Sequence, residues 1–485
     1  MACDDNDKEF FSTTTMHGVG RIFERSNVLV KLIWTFVVLG AFGVATWQIV
    51  DRFERFFEYN VNTEIKLRFL NEIEYPAITF CNFNRYYDSL VKPSDQPYVT
   101  ALLYAMDYDY GESYTDPDYG NFDWVDWYSN LTAQNGAFDY ANFTRRAGMQ
   151  FDDENTLLSC EWRGRPTSCS AANFTHVFTS YGNCYTFNAN KQYLSQDQPG
   201  AGNGLRILLN IKQEDYLEPL SGNVQAGIKF LVHSKNTPPL MDSQGLAVEP
   251  GTYAFVSVQQ VRTVSLQQPY GDSNCVSDST LQHYDDYSLS ACIVEWRLDI
   301  IVRECDCKPF RYPGPARDCD VAESATCVKD TLGKIKNGDF GRVQCQVPCN
   351  MTNFPTTVSY ARYPSITVTQ EISTTYNVSE EYIRNNFVYL DIFYDEINYE
   401  EFKQTAAMTP SALVSDIGGQ LGFFLGASVI TLFEFIEYLF MKCHRCCDSE
   451  KKRRVDDSKD DVKLENLENY NGIKVKPATS SVALT

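Results

Sequence analysis

The chain has 485 residues, of which 44% are hydrophobic and 22% are charged, and its formal net charge is −21 at pH 7. This acidic balance argues against nucleic acid as a partner, because phosphate backbones are bound by clustered basic residues. An acidic outer surface either attracts cations or keeps the protein soluble, and composition leaves both interpretations open.

The first predicted element after a polar N-terminal segment, residues 1–31, is a membrane span. Residues 32–50 form nineteen consecutive positions without a charge, which is long enough to cross a bilayer. Arg21, Arg25 and Lys31 lie just before this stretch and predict that residues 1–31 are cytoplasmic. The stretch is too long, and too far from the start, for a cleaved signal peptide.

Residues 51–410 are predicted to be extracellular. Twelve of the sixteen cysteines lie there, an even number that suits disulfides in an oxidising compartment. Alternating apolar residues predict strands at EIKLRFL, YPAITFCNF, GLRILLNI, AGIKFLVHS and TYAFVSVQQVRTVSL, and VYLDIFYDEINYEE predicts one further strand. Five candidate N-glycosylation sites lie in this region and none in either tail: Asn130, Asn142, Asn173, Asn350 and Asn377.

The second predicted span, residues 411–441, is rich in small residues that permit close helix contact. Glu434 and Glu437 follow its apolar part at a spacing of three, so they share one helix face. We expect them to face water or a pore, because an unpaired carboxylate in hydrocarbon is costly. Pairing with basic residues at the cytoplasmic interface is the alternative. Residues 442–485 then form a charged, cytoplasmic tail without hydrophobic periodicity.

Five segments carry a family resemblance: His17-Gly18, YPAITFCNFNRY at 75–86, HVFTSYGNCYTFN at 176–188, GNGLRILLNI at 202–211 and DIGGQLGFFLGAS at 416–428. They resemble the degenerin/epithelial sodium channel family, and within it the acid-sensing and bile-acid-sensitive ion channels. The resemblance covers about residues 17–441. It implies an α+β membrane protein with two transmembrane helices per subunit, assembled as a homo- or heterotrimer. The large disulfide-rich extracellular domain would comprise palm, β-ball, knuckle, finger and thumb.

The resemblance also implies six disulfides that use all twelve extracellular cysteines: Cys81 with Cys184, Cys160 with Cys169, Cys275 with Cys349, Cys292 with Cys345, Cys305 with Cys327, and Cys307 with Cys319. A further pair found in acid-sensing channels is matched by Trp296 and Val343. Both partners are absent together, so no free thiol is left.

Gly426, Ala427 and Ser428 match the selectivity filter of the family. Three copies would place small residues and backbone carbonyls around one narrow ring, which can replace part of the hydration shell of a sodium ion. The alternative is a helix-packing face formed by Gly418, Gly422 and Gly426, and both interpretations can hold at once.

Other pore and gating candidates follow from the same resemblance. His17 and Gly18 match a re-entrant motif in the lower pore, and Glu434 and Glu437 would concentrate cations in the inner pore. Candidate gating residues are the aromatic pair Tyr59 and Tyr270, the linker residues Ile397 and Asn398, and Ala412.

The activating stimulus is expected to differ from ordinary acid sensing. Acid-sensing channels cluster carboxylates between finger and thumb, where like charges raise each other's pKa. One such pair is matched here by Asn236 and Thr237, and the opposing thumb positions by Lys329 and Gly333, although a shifted alignment would restore Asp330. The agonist is therefore left open among protons, a peptide and a bile-acid-like amphiphile.

The sequence thus predicts an amiloride-sensitive, sodium-selective, ligand-gated channel of the plasma membrane, with both termini cytoplasmic and related subunits as partners. It predicts no enzyme, cofactor, metal site or nucleic-acid partner, since no phosphate loop, metal-ligand spacing or nucleophile signature is present. The alternatives are an ordinary proton-gated channel, an ATP-gated trimeric channel, and a non-conducting receptor or adhesion protein. The second span argues against the last two.

Overall fold

The computed structural model describes residues 10–23, 27–99, 123–165, 168–189, 194–217, 224–271, 274–277 and 279–443. The chain divides into two compact units. Met1–Asn60 and Ala406–Thr485 form the first, which we call the helical unit. Val61–Thr405 forms the second, the sheet unit. The predicted cytoplasmic tail beyond residue 443 and the first nine residues lie outside the described part of the chain.

The described helices are α1 Val19–Phe23, α2 Val28–Phe57, α3 Trp124–Asn135, α4 Tyr140–Ala147, α5 Met241–Gln244, α6 Leu289–Cys305, α7 Val321–Glu323, α8 Lys329–Asn337, α9 Ile366–Tyr376, α10 Glu380–Asn386, α11 Pro410–Leu425 and α12 Val429–Cys443. A π-helical turn, Ser324–Val328, joins α7 to α8. The described strands are β1 Val61–Phe69, β2 Ile73–Glu74, β3 Ala77–Asn82, β4 Leu157–Trp162, β5 Phe174–Thr179, β6 Gly182–Phe187, β7 Ser195–Gln196, β8 Leu205–Asn210, β9 Ile228–His233, β10 Leu246–Val248, β11 Thr252–Val258, β12 Val261–Val264, β13 Asn350–Asn353, β14 Thr356–Arg362, β15 Phe387–Tyr394 and β16 Asn398–Ala406.

The helical unit contains the apolar helices. Helix α2 has 30 residues and is long and apolar enough to cross a membrane, and it extends beyond the predicted span at both ends. The second predicted span is not one helix: α11 and α12 meet at 77°, and only together are they long enough to cross. An ion pair joins α2 to α11, with 3.6 Å between Arg52 Nε and Asp416 Oδ2.

The sheet unit has its core between two five-stranded sheets, with strand orders β10-β9-β3-β6-β5 and β14-β11-β15-β8-β4. Strand β3 is central in its sheet and is buried at every position. Strand β11 alternates between buried and half-buried residues, so it presents one apolar face to the core. Its Ala254 and Val256, like Leu390 of β15, lie in this core.

Two sequence runs cross from one sheet to another. The run predicted as a single final strand forms β15 and β16, and β16 lies in a four-stranded sheet of order β1-β16-β12-β13. Strands β11 and β12 divide in the same way, and each pairs in parallel with its counterpart. At the crossing point Gln259 Nε2 donates to Asp395 Oδ2 at 2.9 Å. Gln259 directly follows β11 and Asp395 directly follows β15, so the two paired strands end at the same level of the sheet.

The described residues form six disulfides, with the same partners that the family resemblance implies. Two of them join the end of α6 to the region of α7 and α8: Cys305 with Cys327 and Cys307 with Cys319. The asparagines of all five candidate glycosylation sites are exposed.

Candidate functional site

The break between α11 and α12 lies at Gly426, Ala427 and Ser428, the residues predicted to form the filter. Gly426 has a φ of +64°, and its N–H donates to the Gly422 carbonyl at 3.0 Å. Helix α11 therefore ends in the left-handed conformation that glycine favours. The N–H of Thr431 donates to Ser428 Oγ at 3.4 Å, so Ser428 caps the start of α12.

The sequence contained signals for this break that our prediction did not use. A glycine that ends one helix and a serine that begins the next are the ordinary stop and start signals. The prediction assigns Gly426 and Ser428 to a filter within one continuous span over residues 411–441, with a helix-packing face as the alternative. Non-helical backbone at membrane depth is tolerated only where protein buries it or where it lines a water-filled cavity. The break can therefore turn carbonyl groups toward an ion.

The N-terminal segment closes against the break. The N–H of His17 donates to the carbonyl of Leu425 at 2.8 Å, which pairs a carbonyl at the end of α11. The imidazole of His17 lies so close to Gly426 that a Cβ there would overlap the ring. Gly18 has a φ of +81°, and a Cβ on it would lie 2.9 Å from Val38 Cγ2 of α2. The structure thus brings His17, Gly18 and the filter candidates together.

Glu434 is bound by the same N-terminal segment. Its Oε2 accepts from the N–H of Thr15 at 3.2 Å and from the hydroxyls of Thr14 and Thr15 at 3.3 and 3.2 Å. One turn further along α12, Tyr438 stacks on Phe10 with 4.3 Å between ring centroids. Glu434 therefore holds the segment in place through charge-assisted hydrogen bonds. Glu437, the other predicted pore carboxylate, is exposed on α12.

The aromatic gating candidates lie in different units. Tyr59 follows α2 in the helical unit with a φ of +50°, and its ring lies 6.4 and 6.3 Å from those of Phe56 and Phe57. Tyr270 belongs to the sheet unit, where its N–H donates to the carbonyl of Gln267 at 3.1 Å.

The remaining gating candidates lie near the end of the sheet unit and the start of α11. The carbonyl of Ile397 accepts from the N–H of Leu70 at 3.1 Å, and Asn398 is the first residue of β16. Ala412 is in the first turn of α11, where its N–H donates to the capping hydroxyl of Thr409 at 3.2 Å. Each candidate thus lies at a junction between elements.

Asn236 and Thr237 line a cavity of about 370 Å³ in the sheet unit. The Nδ2 of Asn236 donates to Asp286 Oδ2 at 3.0 Å, and Thr237 Oγ1 donates to the Ser234 carbonyl at 2.7 Å. Next to them, the ring nitrogens of His233 lie 2.8 Å from Thr79 Oγ1 and 2.9 Å from the Ser234 carbonyl. Burial lowers the pKa of His233 to about 4.

Helix α8 carries the predicted thumb positions Lys329 and Gly333, and neither is among the residues that line this cavity. Asp330, which a shifted alignment would bring to the cleft, forms an ion pair with Lys334, with 2.6 Å between Nζ and Oδ2. Among the described lining residues, the only carboxylate is Asp242. The described lining therefore holds one carboxylate and an amide at Asn236, and Lys329 and Gly333 lie elsewhere on α8.

One apolar helix, a broken apolar helix pair and a disulfide-rich sheet unit are the described features of this chain that are typical of a membrane protein. The model of the amiloride-sensitive sodium channel family matches residues 10–438. The chain is 34% identical over 453 residues to the bile acid-sensitive ion channel of Homo sapiens, covering 91% of this chain and 87% of that protein. It is 33% identical over 483 residues to acid-sensing ion channel 1 of Gallus gallus, covering 94% and 90%.

The chain therefore belongs to the amiloride-sensitive sodium channel family, whose members are ion channels and not enzymes. It is similarly 31% identical over 444 residues to acid-sensing ion channel 2 of Homo sapiens, covering 89% of this chain and 85% of that protein. A solved proton-activated chloride channel aligns over 85% of this chain and 98% of its own, with a TM-score of 0.33 and 8% identity. That likeness is too distant to support an argument.

Proposed function

We propose that this chain assembles as a trimer into a sodium-selective, amiloride-sensitive channel of the plasma membrane, opened by an extracellular ligand. The observation that carries the proposal is the helix break at Gly426, Ala427 and Ser428 within an apolar span. Three copies around one axis would bring three such breaks together. Their carbonyl groups would then form a ring of oxygen dipoles that selects among cations.

The contacts around the break support a pore. The hydrogen bond from His17 and the three bonds to Glu434 hold the N-terminal segment under the filter candidates. Glu437 is exposed on α12, and threefold symmetry would place three of its carboxylates along the inner pore, where they would concentrate cations. Glu434 would add to this negative potential while it positions the segment.

The proposed topology places the sheet unit outside the cell and both termini inside. All five candidate glycosylation asparagines are exposed on the sheet unit, and twelve of its cysteines form disulfides, which persist in oxidising compartments. The basic residues that flank the apolar helices favour a cytoplasmic side for both ends.

Mild acid is proposed to be a poor sole agonist. Clustered carboxylates that share protons can drive a cleft closed, but Asn236 and Thr237 provide an amide and a hydroxyl, and His233 remains neutral down to about pH 4. Two of the relatives are called bile acid-sensitive and acid-sensing, so the ligand of this chain is to be sought among organic ligands as well as protons.

One observation favours proton gating as a second candidate. Asp391 of β15 is 1% exposed and accepts from the N–H of Gly202 at 3.0 Å, and burial raises its pKa. A carboxyl with a raised pKa takes up its proton at a higher pH than an ordinary aspartate, and so nearer to mild acid. Asp391→Asn would remove a proton response that depends on it.

Current recordings from cells that express this chain alone test the proposal. We expect an amiloride-sensitive sodium current when a bile acid or an amidated peptide is applied, and little current on a drop to about pH 6. Gly426→Ser and Ser428→Cys should change the sodium-to-potassium permeability ratio measured from reversal potentials. Unchanged ratios in both variants contradict the filter assignment. A large acid current that Asp330→Asn abolishes restores ordinary acid sensing, and silence under every stimulus favours a non-conducting receptor.

A further inference from the structure

The cavity beside Asn236 has the size and lining of a small-molecule site. It is enclosed by β5, by the segment 236–242, by α6 and by the loop that carries Arg311 and Tyr312. Its volume of about 370 Å³ lies within the range of ligand pockets. Such pockets combine a mostly apolar wall with a few polar groups that orient the ligand.

The apolar wall of the cavity comes from several elements. Phe178 lies on β5, Pro238, Pro239 and Leu240 precede α5, and Val294 lies on α6. Each of these side chains is partly exposed, so the wall remains accessible instead of being closed by core packing. An apolar ligand body would remove this surface from water.

The charge in the cavity is positive although the chain is acidic. Arg297 of α6 lines the wall and is partly buried, and no side-chain hydrogen bond or ion pair engages its guanidinium within the described residues. Arg311 also lines the wall, with its guanidinium 5.3 Å from the ring centroid of Tyr312. A partly desolvated guanidinium is matched by a carboxylate or sulfonate, which accepts two parallel hydrogen bonds.

The carboxylate of Asp242, the acidic group among the described lining residues, already accepts a hydrogen bond within the protein. Asp242 accepts a short hydrogen bond from the hydroxyl of Ser180, and its carbonyl accepts from Lys229 Nζ at 3.4 Å. Asp286 likewise accepts from the amide of Asn236 at 3.0 Å. Within the described residues neither carboxylate is paired with Arg297, so the guanidinium is available to an incoming anion.

We propose that this cavity binds an anionic amphiphile, a small molecule with an apolar body and one carboxylate or sulfonate, and that Arg297 holds its charge. The inference rests on the proposed function, since it places the extracellular ligand at a named site. In a cleft lined by carboxylates, the stimulus is a proton that these groups take up. In this cavity the stimulus is a bound anion, and no lining group has to change its protonation state.

Equilibrium binding of deoxycholate to the full-length channel in lipid nanodiscs tests the site, at concentrations below micelle formation. We expect Arg297→Gln to weaken binding about ten- to a hundredfold, because a hydrogen bond to a charged group is lost. The matched control is Arg303→Gln on the same helix, where the side chain is 62% exposed and pairs with Glu304. Arg303→Gln should leave the affinity unchanged.

Two further measurements separate this site from membrane partitioning and from misfolding. The uncharged methyl ester of deoxycholate should bind wild type more weakly than the acid and be insensitive to Arg297→Gln. Val294→Trp fills the apolar wall and should abolish binding of both compounds, while Arg297→Lys should retain part of the affinity. Equal affinity of Arg297→Gln and wild type, or equal affinity of acid and ester for wild type, overturns the proposal.

The binding experiment and the current recording test the ligand site and the channel function separately. Binding is measured without current, so a channel that conducts sodium but binds deoxycholate independently of Arg297 rejects the site and leaves the proposed function intact. A chain that binds through Arg297 yet carries no sodium current retains the site and rejects the channel.

Discussion

Gly426 shows at the scale of one residue why the filter candidates tolerate little change. Its left-handed backbone ends α11, and the His17 ring occupies the space into which any side chain would point. A residue with a Cβ therefore meets two separate penalties, one from its own backbone and one from the ring. The first amounts to about 1–2 kcal/mol in the left-handed conformation.

Gly426→Ala is expected to lower the sodium-to-potassium permeability ratio, because the backbone and His17 must both shift to accept the methyl group. Reversal potentials under sodium and potassium measure the ratio. Gly40→Ala is the control, since no atom lies within 4 Å of the added Cβ on α2. Adding His17→Gly should recover part of the loss. A double variant no better than Gly426→Ala would show that the ring is not the obstacle.

His233 makes the stability of the sheet unit depend on pH in a known direction. Burial lowers its folded pKa to about 4, below the ordinary value of 6.5, so the unfolded chain binds a proton that the folded chain does not. Its stabilising contribution is complete above pH 6.5 and is lost as the pH falls toward 4. Between pH 7 and pH 5 this amounts to about 2 kcal/mol.

His233→Gln should therefore flatten the pH dependence of unfolding in this window. The measurement is the Tm of the full-length protein at pH 7 and pH 5, for both variant and wild type. The carboxylates of the chain also titrate in this window, but they do so in both proteins, so the difference between the two slopes reports on His233. The exposed His17 segment is in the other unit, and His17→Gln should leave the pH slope of the sheet unit unchanged. A slope identical in wild type and His233→Gln would rule out a depressed pKa.

At the scale of elements, the helical unit combines a broken helix with a segment that braces it. Thr15 Oγ1 lies 2.7 Å from the hydroxyl of Thr431, in addition to the bonds from Thr14 and Thr15 to Glu434. These contacts join residues more than four hundred positions apart in the chain. The break and the N-terminal segment should consequently behave as one structural element.

Thr15→Val and Glu434→Ala should affect ion discrimination non-additively, because both remove the hydrogen bond from the Thr15 hydroxyl to Glu434. We expect a coupling of about 0.5–3 kcal/mol, from the logarithm of the permeability ratio in the two single variants and the double variant. Glu437→Ala provides the matched control on the same helix, and its effect should add to that of Thr15→Val. Additive effects for both pairs would mean that the segment does not brace the pore.

At the scale of the whole molecule, the positions of the disulfides and candidate glycosylation sites bear on topology. The sheet unit contains all six disulfides among the described residues, and the five candidate asparagines are exposed on its surface. Exposure is required for a glycan, since the sugar cannot be packed inside a protein. Both features are what the proposed extracellular position of the sheet unit requires.

Peptide mapping of the protein from a eukaryotic cell should find N-linked glycans at Asn130, Asn142, Asn173, Asn350 and Asn377. Replacing each asparagine by glutamine should remove one glycan and leave the others. Glycosidase treatment of wild type should give the same electrophoretic mobility as the variant that lacks all five. A sheet unit without glycans would contradict the proposed topology. So would glycosylation of an Asn-X-Thr sequon introduced into the C-terminal tail.

Local features and the family can be recognised from the amino-acid sequence. Two apolar stretches, an even set of cysteines between them and period-two strands can each be recognised from neighbouring residues, since hydropathy and strand patterns are local properties. The family match extends from residue 10 to residue 438. The family resemblance implied the disulfide partners, and the structure contains the same six pairs. The filter candidates were proposed from a contiguous motif, and their role stays a prediction.

Contacts between residues that are far apart in the sequence became known only from the tertiary structure. The final strand had to divide into β15 and β16 because its two halves find hydrogen-bonding partners in different sheets. Thr15 contacts Glu434 on α12 and His17 contacts Leu425 at the end of α11, where the two helices meet at 77°. The cavity around Arg297 is lined by stretches of the sheet unit that lie far apart in the sequence, from Thr175 to Tyr312. Such arrangements depend on contacts between distant residues, whose free energy no local pattern of apolar and polar positions encodes.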